Sequence, residues 1–275
     1  TLLMSEKLLE KIQCIICGSD TEDFMKKIYS SGTLGTLNFK RCTKCGLVFS
    51  DTMYQMSDEE WQKHNKFYHS YWFNNTRNSL EHNPPYLQQA LFFKILQKNN
   101  LIKNDNWLDY ASGVGTLSRL LKEYFNLKLI PYEKYMADSE GVKLLKENPN
   151  LKFNVVFSSA LFEHIRSIKT IDEMMSLLKE DGVFMVHTLV TENIPKDNNW
   201  FYYVPMHCTV FSNKSMQCLM DKYGFKYSIY CPFAKTWAFF RNIPSDIDKI
   251  IENINLSFSE KYLYGKNGFM DYWKN

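Results

Sequence analysis

The chain lacks several features that would place it in a special class of protein. It has no apolar run of the roughly 18 residues that a membrane-spanning helix needs, and its first residues lack the charged-then-apolar order of a secretory signal. It also lacks a strong charge of either sign, because 33 basic residues stand against 30 acidic ones and the formal net charge is +3. A dedicated nucleic-acid binder carries a stronger positive field. We therefore expect a cytoplasmic chain with no membrane span and no nucleic-acid partner.

Core-forming residues, in contrast, are plentiful. Hydrophobic side chains make up 45% of the 275 residues, which is enough for one large α/β domain with a small appendage. We divide the chain into four segments, of which the third is defined by the motifs described below. They are a cysteine-containing segment over 1–50, an aromatic connector or lid over 51–83, a nucleotide-cofactor domain over 84–241, and a helix with a tail over 242–275. The isoleucines of the last segment recur at helical spacing.

One stretch of the cofactor domain reads as a strand, a tight glycine turn and a helix. Residues 107–110 form a short apolar run, and residues 116–125 have the three-and-four spacing of one buried helix face. Gly113 and Gly115 lie between them, where the missing Cβ lets the backbone approach a ligand. The helix start offers unpaired N–H groups to a polar or anionic group. The stretch predicts a nucleotide-cofactor turn, although a plain connection between strand and helix has a similar pattern.

Two kinds of cofactor bind at such a turn. A dinucleotide fingerprint has a third glycine, or an alanine, three positions after the second glycine, where this chain has Ser118. Here an acid ends the strand instead, and small residues follow at every second position. This pattern resembles motif I of class I S-adenosylmethionine-dependent methyltransferases, in which the acid lies near the methionine part of the cofactor. The resemblance implies cofactor contacts from Asp109, Ala111, Ser112, Gly113 and Gly115. Alanine at 111 replaces the usual glycine, so we expect the backbone there to lie slightly further from the ligand.

A second strand, predicted over 127–131, leads to another acid. Glu133 follows the glycine turn by about 20 residues, where a carboxylate accepts both hydroxyl hydrogens of a ribose. The same acid would serve NAD, so it indicates a nucleoside cofactor without choosing between the two. Residues 134–152 are short for the helix and third strand that the methyltransferase family has next. Adenine contacts therefore stay unassigned.

The following elements favour one cofactor. Residues 153–159 form a continuous apolar run, as in buried parallel strands, and Glu163 and His164 come directly after it. A helical pattern, an Asp-Gly pair at 181–182 and a strand over 183–189 complete the series. This succession resembles motifs IV to VI of class I methyltransferases. It implies an α/β fold with a Rossmann-like, doubly wound, seven-stranded sheet, with S-adenosyl-L-methionine as cofactor and Ser158 as a further contact.

The seven cysteines are of two kinds. Cys14 with Cys17 and Cys42 with Cys45 form two Cys-x-x-Cys-Gly pairs, whereas the other three cysteines are isolated. Each pair can fold as a tight knuckle, and two knuckles place four thiolates around one ion. We predict a zinc ribbon whose Zn²⁺ is structural, because four thiolates leave no open position. A disulfide framework is the alternative, which the isolated cysteines and a reducing compartment disfavour.

The connector over 51–83 is dense in aromatic rings and histidines. These rings either dock the ribbon on the main domain or close over the cofactor or acceptor, with His64 and His69 as surface or lid residues. The connector ends in Asn83-Pro84-Pro85-Tyr86, which spells the motif that holds the target nitrogen in amino-methyltransferases. Here it follows a polar stretch rather than a buried strand. We interpret the two prolines as the start of a helix.

The acceptor side is predicted further along the chain. A proline-x-histidine sequence ending at His207 precedes Phe-Ser and a helix for which Ser212 or Asn213 is a good N-cap. This order resembles the small-molecule branch of class I methyltransferases. The methyl group of a sulfonium is already activated, so the enzyme mainly has to position the acceptor. A base that removes the acceptor proton is needed only for a weakly acidic acceptor such as a sugar hydroxyl. His207 on the acceptor side and His164 on the cofactor side are the candidates, and each also has a purely structural interpretation.

The resemblance implies methyl transfer to a hydroxyl of a sugar or nucleotide-activated sugar in surface-glycan, including capsule polysaccharide, or natural-product biosynthesis. Glu163 with His164 is also a candidate divalent-cation site, as similar pairs are in related quinone-pathway O-methyltransferases. Three alternatives stay open. They are an RNA methyltransferase that uses the ribbon for recognition, a cofactor-binding protein without activity, and an NAD-dependent sugar-modifying enzyme. The sequence leaves the oligomeric state open.

Overall fold

The computed structural model describes residues 12–29, 34–75 and 84–271, with the backbone alone over 69–75. Its strands are β1 (Thr21–Ile28), β2 (Thr36–Cys42), β3 (Val48–Ser50), β4 (Trp107–Tyr110), β5 (Leu129–Tyr132), β6 (Phe153–Ser159), β7 (Leu178–His187), β8 (Thr209–Val210), β9 (Tyr227–Cys231), β10 (Thr236–Phe240) and β11 (Tyr264–Asn267). Its helices are α1 (Asp51–Tyr54), α2 (Asp58–Asn75), α3 (Tyr86–Lys98), α4 (Thr116–Phe125), α5 (Glu140–Glu147), α6 (Ile168–Leu177), α7 (Asn213–Tyr223) and α8 (Ile247–Asn255), and a 3-10 turn covers Phe162–His164. None of the helices within these ranges combines the length and the apolar character that crossing a membrane requires.

The large sheet has seven strands in the order β11-β9-β10-β7-β6-β4-β5. β5, β4, β6 and β7 are parallel neighbours, and β10, β9 and β11 extend the sheet by antiparallel pairing. Because side chains alternate along a strand, Leu108 packs into the apolar cluster on one face and Trp107 into the cluster on the other. α5, α6 and α7 cover the first face, and α3, α4 and α8 cover the second. The predicted Rossmann-like, doubly wound, seven-stranded fold is confirmed.

The seventh strand does not come from the segment where the family has its third strand. Residues 133–152 contain α5 but no strand, so β5 lies at one edge of the sheet. β11 forms the other edge and pairs antiparallel with β9. The predicted C-terminal helix is present as α8, which buries Ile247, Ile251 and Ile254 beside this edge. Residues after that helix therefore supply the strand that the short 134–152 segment does not.

β7 begins earlier than the sequence predicts. The sequence predicts a strand over 183–189 that follows the Asp-Gly pair at 181–182, but β7 starts directly after α6 at Leu178. Its pairing with β6 passes from Leu178 to Val183, so the Asp-Gly pair lies in an irregularity within the strand. The chain approaches itself closely there, since a Cβ on Gly182 would lie 2.6 Å from Leu178 Cδ1. The glycine is needed for this close approach rather than for a separate turn.

Helix α3 begins immediately after the two prolines of the Asn-Pro-Pro-Tyr sequence. Its first residue is Tyr86, with Pro85 at the N-cap position. Proline suits this place because the first N–H groups of a helix have no partner within the helix. The interpretation of the prolines as a helix start is confirmed, and Asn83 lies outside the described residues.

A small sheet joins the cysteine-containing segment to the large domain. Its order is β1-β2-β3-β8, and all of its pairs are antiparallel. The fourth strand comes from residues 209–210, far along the chain from the other three. Ser50 N donates to Cys208 O at 2.8 Å, and Ser212 Oγ donates to Cys45 O. The segment is thus held by backbone pairing to residues next to the predicted acceptor side.

Candidate functional site

The predicted cofactor turn lies at the carboxyl edge of the large sheet, where β4 ends and α4 begins. Gly113 and Gly115 have φ values of +53° and +71°, a left-handed conformation that glycine adopts without steric cost. A Cβ added to Gly113 would meet no atom within 4 Å, so the space before the turn is open. α4 has no side-chain cap at its N-terminus, and its first N–H groups can therefore bind a ligand.

The backbone of Ala111 has the left-handed conformation that glycine usually adopts. Its φ is +61°, a conformation that costs an L-residue roughly 1–2 kcal/mol. Ala160, which follows β6, has a similar φ of +54°. Since β4 and β6 are parallel neighbours, two strained alanines flank the crevice at their carboxyl ends, the usual ligand position in such sheets. The fold accommodates alanine at 111 by backbone strain, and its contact with a cofactor stays a prediction.

Two carboxyl groups face this turn. Asp109 is buried, and its burial, followed by the nearby charge of Glu133, raises its pKa to about 8. Glu133 Oε2 accepts a hydrogen bond from Gly113 N at 3.1 Å, which holds the second acid at the turn. A positive charge beside Asp109 would lower its pKa and keep the carboxylate ionised.

Two buried hydroxyls add to the lining of the crevice. Within the described ranges, Ser112 Oγ and Ser158 Oγ are buried and have no hydrogen-bond partner. They lie at neighbouring strand ends, because Ser158 is opposite Tyr110 in the β4–β6 register. Buried polar atoms are nearly always paired in folded proteins, so these hydroxyls fit a polar ligand between the strand ends. The crevice brings together all of the predicted cofactor residues: Asp109, Ala111, Ser112, Gly113, Gly115, Glu133 and Ser158.

Next to the end of β6, a carboxyl group and two histidines form a compact cluster. One oxygen of Glu163 and one ring nitrogen from each of His164 and His207 all lie within 4.8 Å of one another. Glu163 is 5% exposed, and burial raises its pKa to about 7. The two imidazole rings meet edge to face with centroids 5.2 Å apart. The sequence predicts the two histidines on opposite sides of the site, whereas the fold brings them together.

Backbone carbonyl groups fix the tautomer of both histidines. His164 Nδ1 donates to Met206 O at 2.8 Å, and His207 Nδ1 donates to Tyr202 O at 2.9 Å. A carbonyl oxygen can only accept, so the hydrogen of each neutral ring is on Nδ1 and the lone pair is on Nε2. The same arrangement orients histidines that bind metals or move protons. In both rings, Nε2 is therefore the atom that can accept a proton or bind a metal ion.

Two segments that are distant in sequence hold this cluster together. Cys208 N donates to Glu163 O at 2.8 Å, and Thr209 Oγ1 donates to Ile165 O at 2.6 Å. The 3-10 turn after β6 thereby lies against the segment that leads into β8. Because β8 also pairs with β3, the small sheet and the histidine cluster share the same support.

Sequence reasoning missed the side chains that fix Glu163. Thr188, just beyond β7, donates from Oγ1 to Glu163 Oε2 at 3.1 Å. The Tyr202 hydroxyl lies 3.3 Å from Thr188 Oγ1 and accepts a hydrogen bond from Leu189 N at 3.3 Å. A threonine after a strand and a tyrosine in an aromatic run carry no spacing signal. Only the packing of the two segments shows that Thr188 and Tyr202 together hold the carboxylate of Glu163.

The four cysteines of the two Cys-x-x-Cys pairs come together as predicted. Their sulfur atoms lie within 4.8 Å of one another, with 3.5 Å between Cys14 and Cys45 and 3.4 Å between Cys17 and Cys42. Thiolates at about 2.3 Å from one zinc ion are roughly 3.8 Å apart, so the set fits a tetrahedral ion. Each pair closes a tight turn, in which the N–H of the following glycine donates to the first cysteine carbonyl at 2.8 and 3.1 Å. All seven cysteines are free thiols rather than disulfides.

The first part of the connector packs against Pro205 and Arg166. His64 Nε2 donates to Pro205 O at 2.6 Å, and burial lowers the pKa of His64. The Trp61 ring stacks on the His64 ring. The guanidinium carbon of Arg166 lies 5.1 Å from the centroid of the Trp61 ring. His64 was predicted as a surface or lid residue, but it is half-buried and helps to dock α2. The side chain of His69 lies outside the described residues.

Comparison with known proteins identifies the family. A family described as "Methyltransferase domain" matches residues 54–228, which is more than half of the chain. The matched range includes the glycine turn, Glu133 and the Glu163, His164 and His207 cluster. A search of curated proteins finds no match to this chain. With the sheet and the crevice described above, the match shows that the chain belongs to the class I S-adenosylmethionine-dependent methyltransferases.

Proposed function

We propose that this protein transfers a methyl group from S-adenosyl-L-methionine to a hydroxyl oxygen of a sugar or nucleotide-activated sugar. The observation that carries the proposal is the cluster of Glu163, His164 and His207 beside the crevice. A sugar hydroxyl is weakly acidic, so its attack on a methyl group needs a base within reach. A neutral imidazole with its lone pair on an oriented Nε2 is such a base.

The crevice residues suit this cofactor. When bound, S-adenosyl-L-methionine supplies a methyl group that is already activated on a positively charged sulfur. We assign its ribose hydroxyls to the Glu133 carboxylate and its methionine part to the buried carboxyl of Asp109. The backbone from Ala111 to Gly115 lies beneath it, and Ser112 and Ser158 offer their hydroxyls. The raised pKa of Asp109 supports this assignment, because a cationic ligand relieves the cost of ionising a buried acid.

On the acceptor side, His207 takes the proton of the acceptor hydroxyl at Nε2 as the oxygen–carbon bond forms. Its hydrogen bond to Tyr202 O keeps the ring in one orientation. Glu163 lies within 4.8 Å and stabilises the positive charge that the imidazole acquires. Thr188 keeps that carboxylate in place. His164 is the second candidate base, because one of its ring nitrogens belongs to the same cluster.

Support for a sugar acceptor comes from the surroundings of His207. Phe201 is 69% exposed and contacts Tyr202, whose ring centroid is 4.5 Å from that of His207. Ligand sites commonly combine aromatic surfaces with a few oriented polar groups, which suits a molecule with both apolar and hydroxyl-bearing faces. The order of ribbon, aromatic connector and catalytic domain also resembles sugar methyltransferases. The role in glycan or natural-product biosynthesis is an inference from that resemblance.

A second role of the same cluster is favoured by its composition. Two imidazoles and one carboxylate form a common ligand set for divalent transition metals. Both rings donate their other nitrogen to carbonyl groups and Glu163 accepts from Thr188, which is the usual outer support of such ligands. A cation held by Glu163, His164 and His207 would bind the acceptor oxygen directly. The Glu163–His164 pair predicted from the sequence thus gains His207 as a third ligand.

The four cysteines have a separate role in this proposal. We assign them a structural Zn²⁺, because the four sulfurs fit one tetrahedral ion and leave no position for a substrate. The ion ties the two knuckles on either side of β1 and β2. Zinc removal would therefore act on the position of the ribbon and not on the chemistry directly.

Replacing each histidine separately tests the assignment of the base. We expect His207→Ala to lower kcat about 10²- to 10⁴-fold with a nucleotide-sugar acceptor, because general-base catalysis contributes about that much. S-adenosylhomocysteine affinity, measured by calorimetry, should stay within about twofold, and product formation would be followed by mass spectrometry. The same measurements on His164→Ala rank the two candidates.

His64→Ala serves as the matched control, because His64 is a half-buried histidine outside the cluster. The base assignment is wrong if neither cluster variant lowers kcat more than this control does. Full activity after exhaustive chelation and loss of the cluster metal would exclude the cation role. Methylation of RNA but of no nucleotide-sugar would point to the RNA alternative, and tight cofactor binding with no acceptor turned over would point to a non-catalytic protein.

A further inference from the structure

One buried glutamine at the crevice has no role in the mechanism above. Gln89 lies in the first turns of α3 and is fully buried. Its Nε2 donates to Ser159 Oγ at 3.2 Å, whereas its Oε1 has no hydrogen-bond partner among the described residues. An unpaired buried carbonyl oxygen costs about 1–3 kcal/mol. Folded proteins rarely keep such an atom unless a ligand or water uses it.

The position of Gln89 places it at the cofactor crevice. Ser159 is the last residue of β6 and follows Ser158, one of the predicted cofactor residues. Tyr86 lies one turn before Gln89 on α3. Burial raises the pKa of Tyr86, and the negative charge of the nearby Asp109 raises it further. The first turn of α3 therefore approaches both strand ends that line the crevice.

The free oxygen of Gln89 selects the kind of group that it can bind. A carboxamide oxygen only accepts hydrogen bonds, so its partner must be a donor. Asp109 is an acid in the same crevice whose buried carboxyl also favours a cation. Within S-adenosyl-L-methionine, the group that is both cationic and a hydrogen-bond donor is the α-ammonium of the methionine part.

We propose that Gln89 Oε1 and the Asp109 carboxylate together bind the α-ammonium group of S-adenosyl-L-methionine. Ser159 fixes the carboxamide by accepting from Nε2, so Oε1 is oriented before the ligand arrives. Gln89 is a binding residue that positions the methionine part and takes no part in proton transfer. The inference rests on the proposed cofactor crevice and is independent of which acceptor or base is used.

Calorimetry with cofactor fragments tests this assignment. The probes are S-adenosylhomocysteine, decarboxylated S-adenosylmethionine, which keeps the ammonium, and 5′-methylthioadenosine, which lacks the amino-acid part. We expect Gln89→Leu to weaken the first two about 10- to 100-fold, because hydrogen bonds to charged groups are worth that much. Binding of 5′-methylthioadenosine should change less than about twofold. Gln89→Glu should keep or strengthen the binding of both ammonium-containing ligands.

Gln97→Leu is the matched control, since Gln97 lies on the same helix and bonds to Lys94 and Asn104 away from the crevice. An equal loss for all three ligands in Gln89→Leu would show a purely structural role and overturn the proposal. Unchanged binding of all three would overturn it as well. Weaker S-adenosylhomocysteine binding by Gln89→Glu than by Gln89→Leu would place the residue beside the cofactor carboxylate instead. Because no acceptor is involved, these outcomes are separate from any failure of the sugar proposal.

Discussion

At the scale of single residues, the cofactor crevice is built from groups that are unfavourable without a ligand. Ala111 and Ala160 hold left-handed backbone conformations, and Ser112, Ser158 and Gln89 bury polar atoms without partners in the described chain. Asp109 is a buried acid whose pKa is raised to about 8. Such strain commonly collects at ligand sites and is held in place by the surrounding fold. The crevice therefore gives up stability for binding.

Asp109→Asn tests this relation. A carboxyl with a folded pKa of about 8 and an unfolded pKa near 4 binds more protons in the folded state, so stability falls as pH rises between about 4 and 8. We expect the variant to be more stable than the wild type at pH 8, by about 1–3 kcal/mol, and nearly equal at pH 4. Thermal unfolding across this range measures the difference. S-adenosylhomocysteine affinity should fall in the same variant, and a variant that is less stable at pH 8 would contradict this account.

At the scale of elements, the start of α7 connects the large domain to the ribbon. Ser212 forms a capping box with Ser215, accepting from Ser215 N at 3.1 Å while Ser215 Oγ lies 2.9 Å from Ser212 N. The same Ser212 hydroxyl donates to Cys45 O. The N-cap predicted from the sequence is confirmed, and the fold gives it a second partner. One hydroxyl thus stabilises a helix end and holds a cysteine knuckle.

Ser212→Ala should therefore lower the free energy of unfolding more than the loss of an ordinary N-cap side chain does. Loss of an N-cap side chain costs about 1 kcal/mol, and the lost bond to Cys45 O leaves a buried carbonyl unpaired at about 1–3 kcal/mol more. Ser167→Ala is the matched control, because Ser167 caps α6 by accepting from Lys169 N and does not contact the ribbon. Urea unfolding compares the free energies of unfolding, and a chelator competition assay compares zinc retention. Equal losses in both variants would show that the contact with Cys45 adds nothing.

At the scale of the whole molecule, the cysteine-containing segment (the predicted ribbon) and the segment after His207 (the predicted acceptor side) share one sheet. β3 pairs with β8, and Cys208 beside β8 donates to Glu163 O in the histidine cluster. The cofactor turn, in contrast, is held by β4, β5 and β6 without the ribbon. The molecule is thus arranged so that a structural ion in the ribbon would support the acceptor side more than the cofactor side.

Zinc removal should separate these two sides. We expect a thiol-directed zinc chelator, or Cys17→Ser, to reduce methyl transfer at least tenfold while S-adenosylhomocysteine affinity stays within about threefold. The reason is that loss of a Cys₄ ion loosens the ribbon on which β8 depends. Recovery of the chelated wild type by Zn²⁺, with no recovery of Cys17→Ser, would assign the effect to the thiolates rather than to the histidine cluster. Undiminished transfer after complete zinc removal would show that β8 keeps its position without the ribbon ion.

The features of this protein that depend on local chemistry can be predicted from short stretches of its sequence. The glycine turn after β4, the apolar run of β6, the N-cap of α7 and the spacing of the two cysteine pairs are all visible in short windows. Their order along the chain resembles that of class I methyltransferases, and this resemblance predicted the family and its fold. Parallel strands joined by crossover helices leave few other arrangements. The same resemblance also placed seven of the crevice residues at one edge of the sheet.

Contacts between segments that are distant along the chain, in contrast, depend on how the folded elements pack together. Local patterns gave no reason to expect β11 as the seventh strand, β8 as part of the ribbon sheet, or His164 and His207 in one cluster. Gln89 likewise looked like an ordinary helix residue until α3 packed it against Ser159. Hydrophobic periodicity in the sequence indicates which side of a helix or strand is buried. It does not indicate which other element packs against that side. Strand pairing and hydrogen bonds between remote segments supplied that information and set the chemistry of the site.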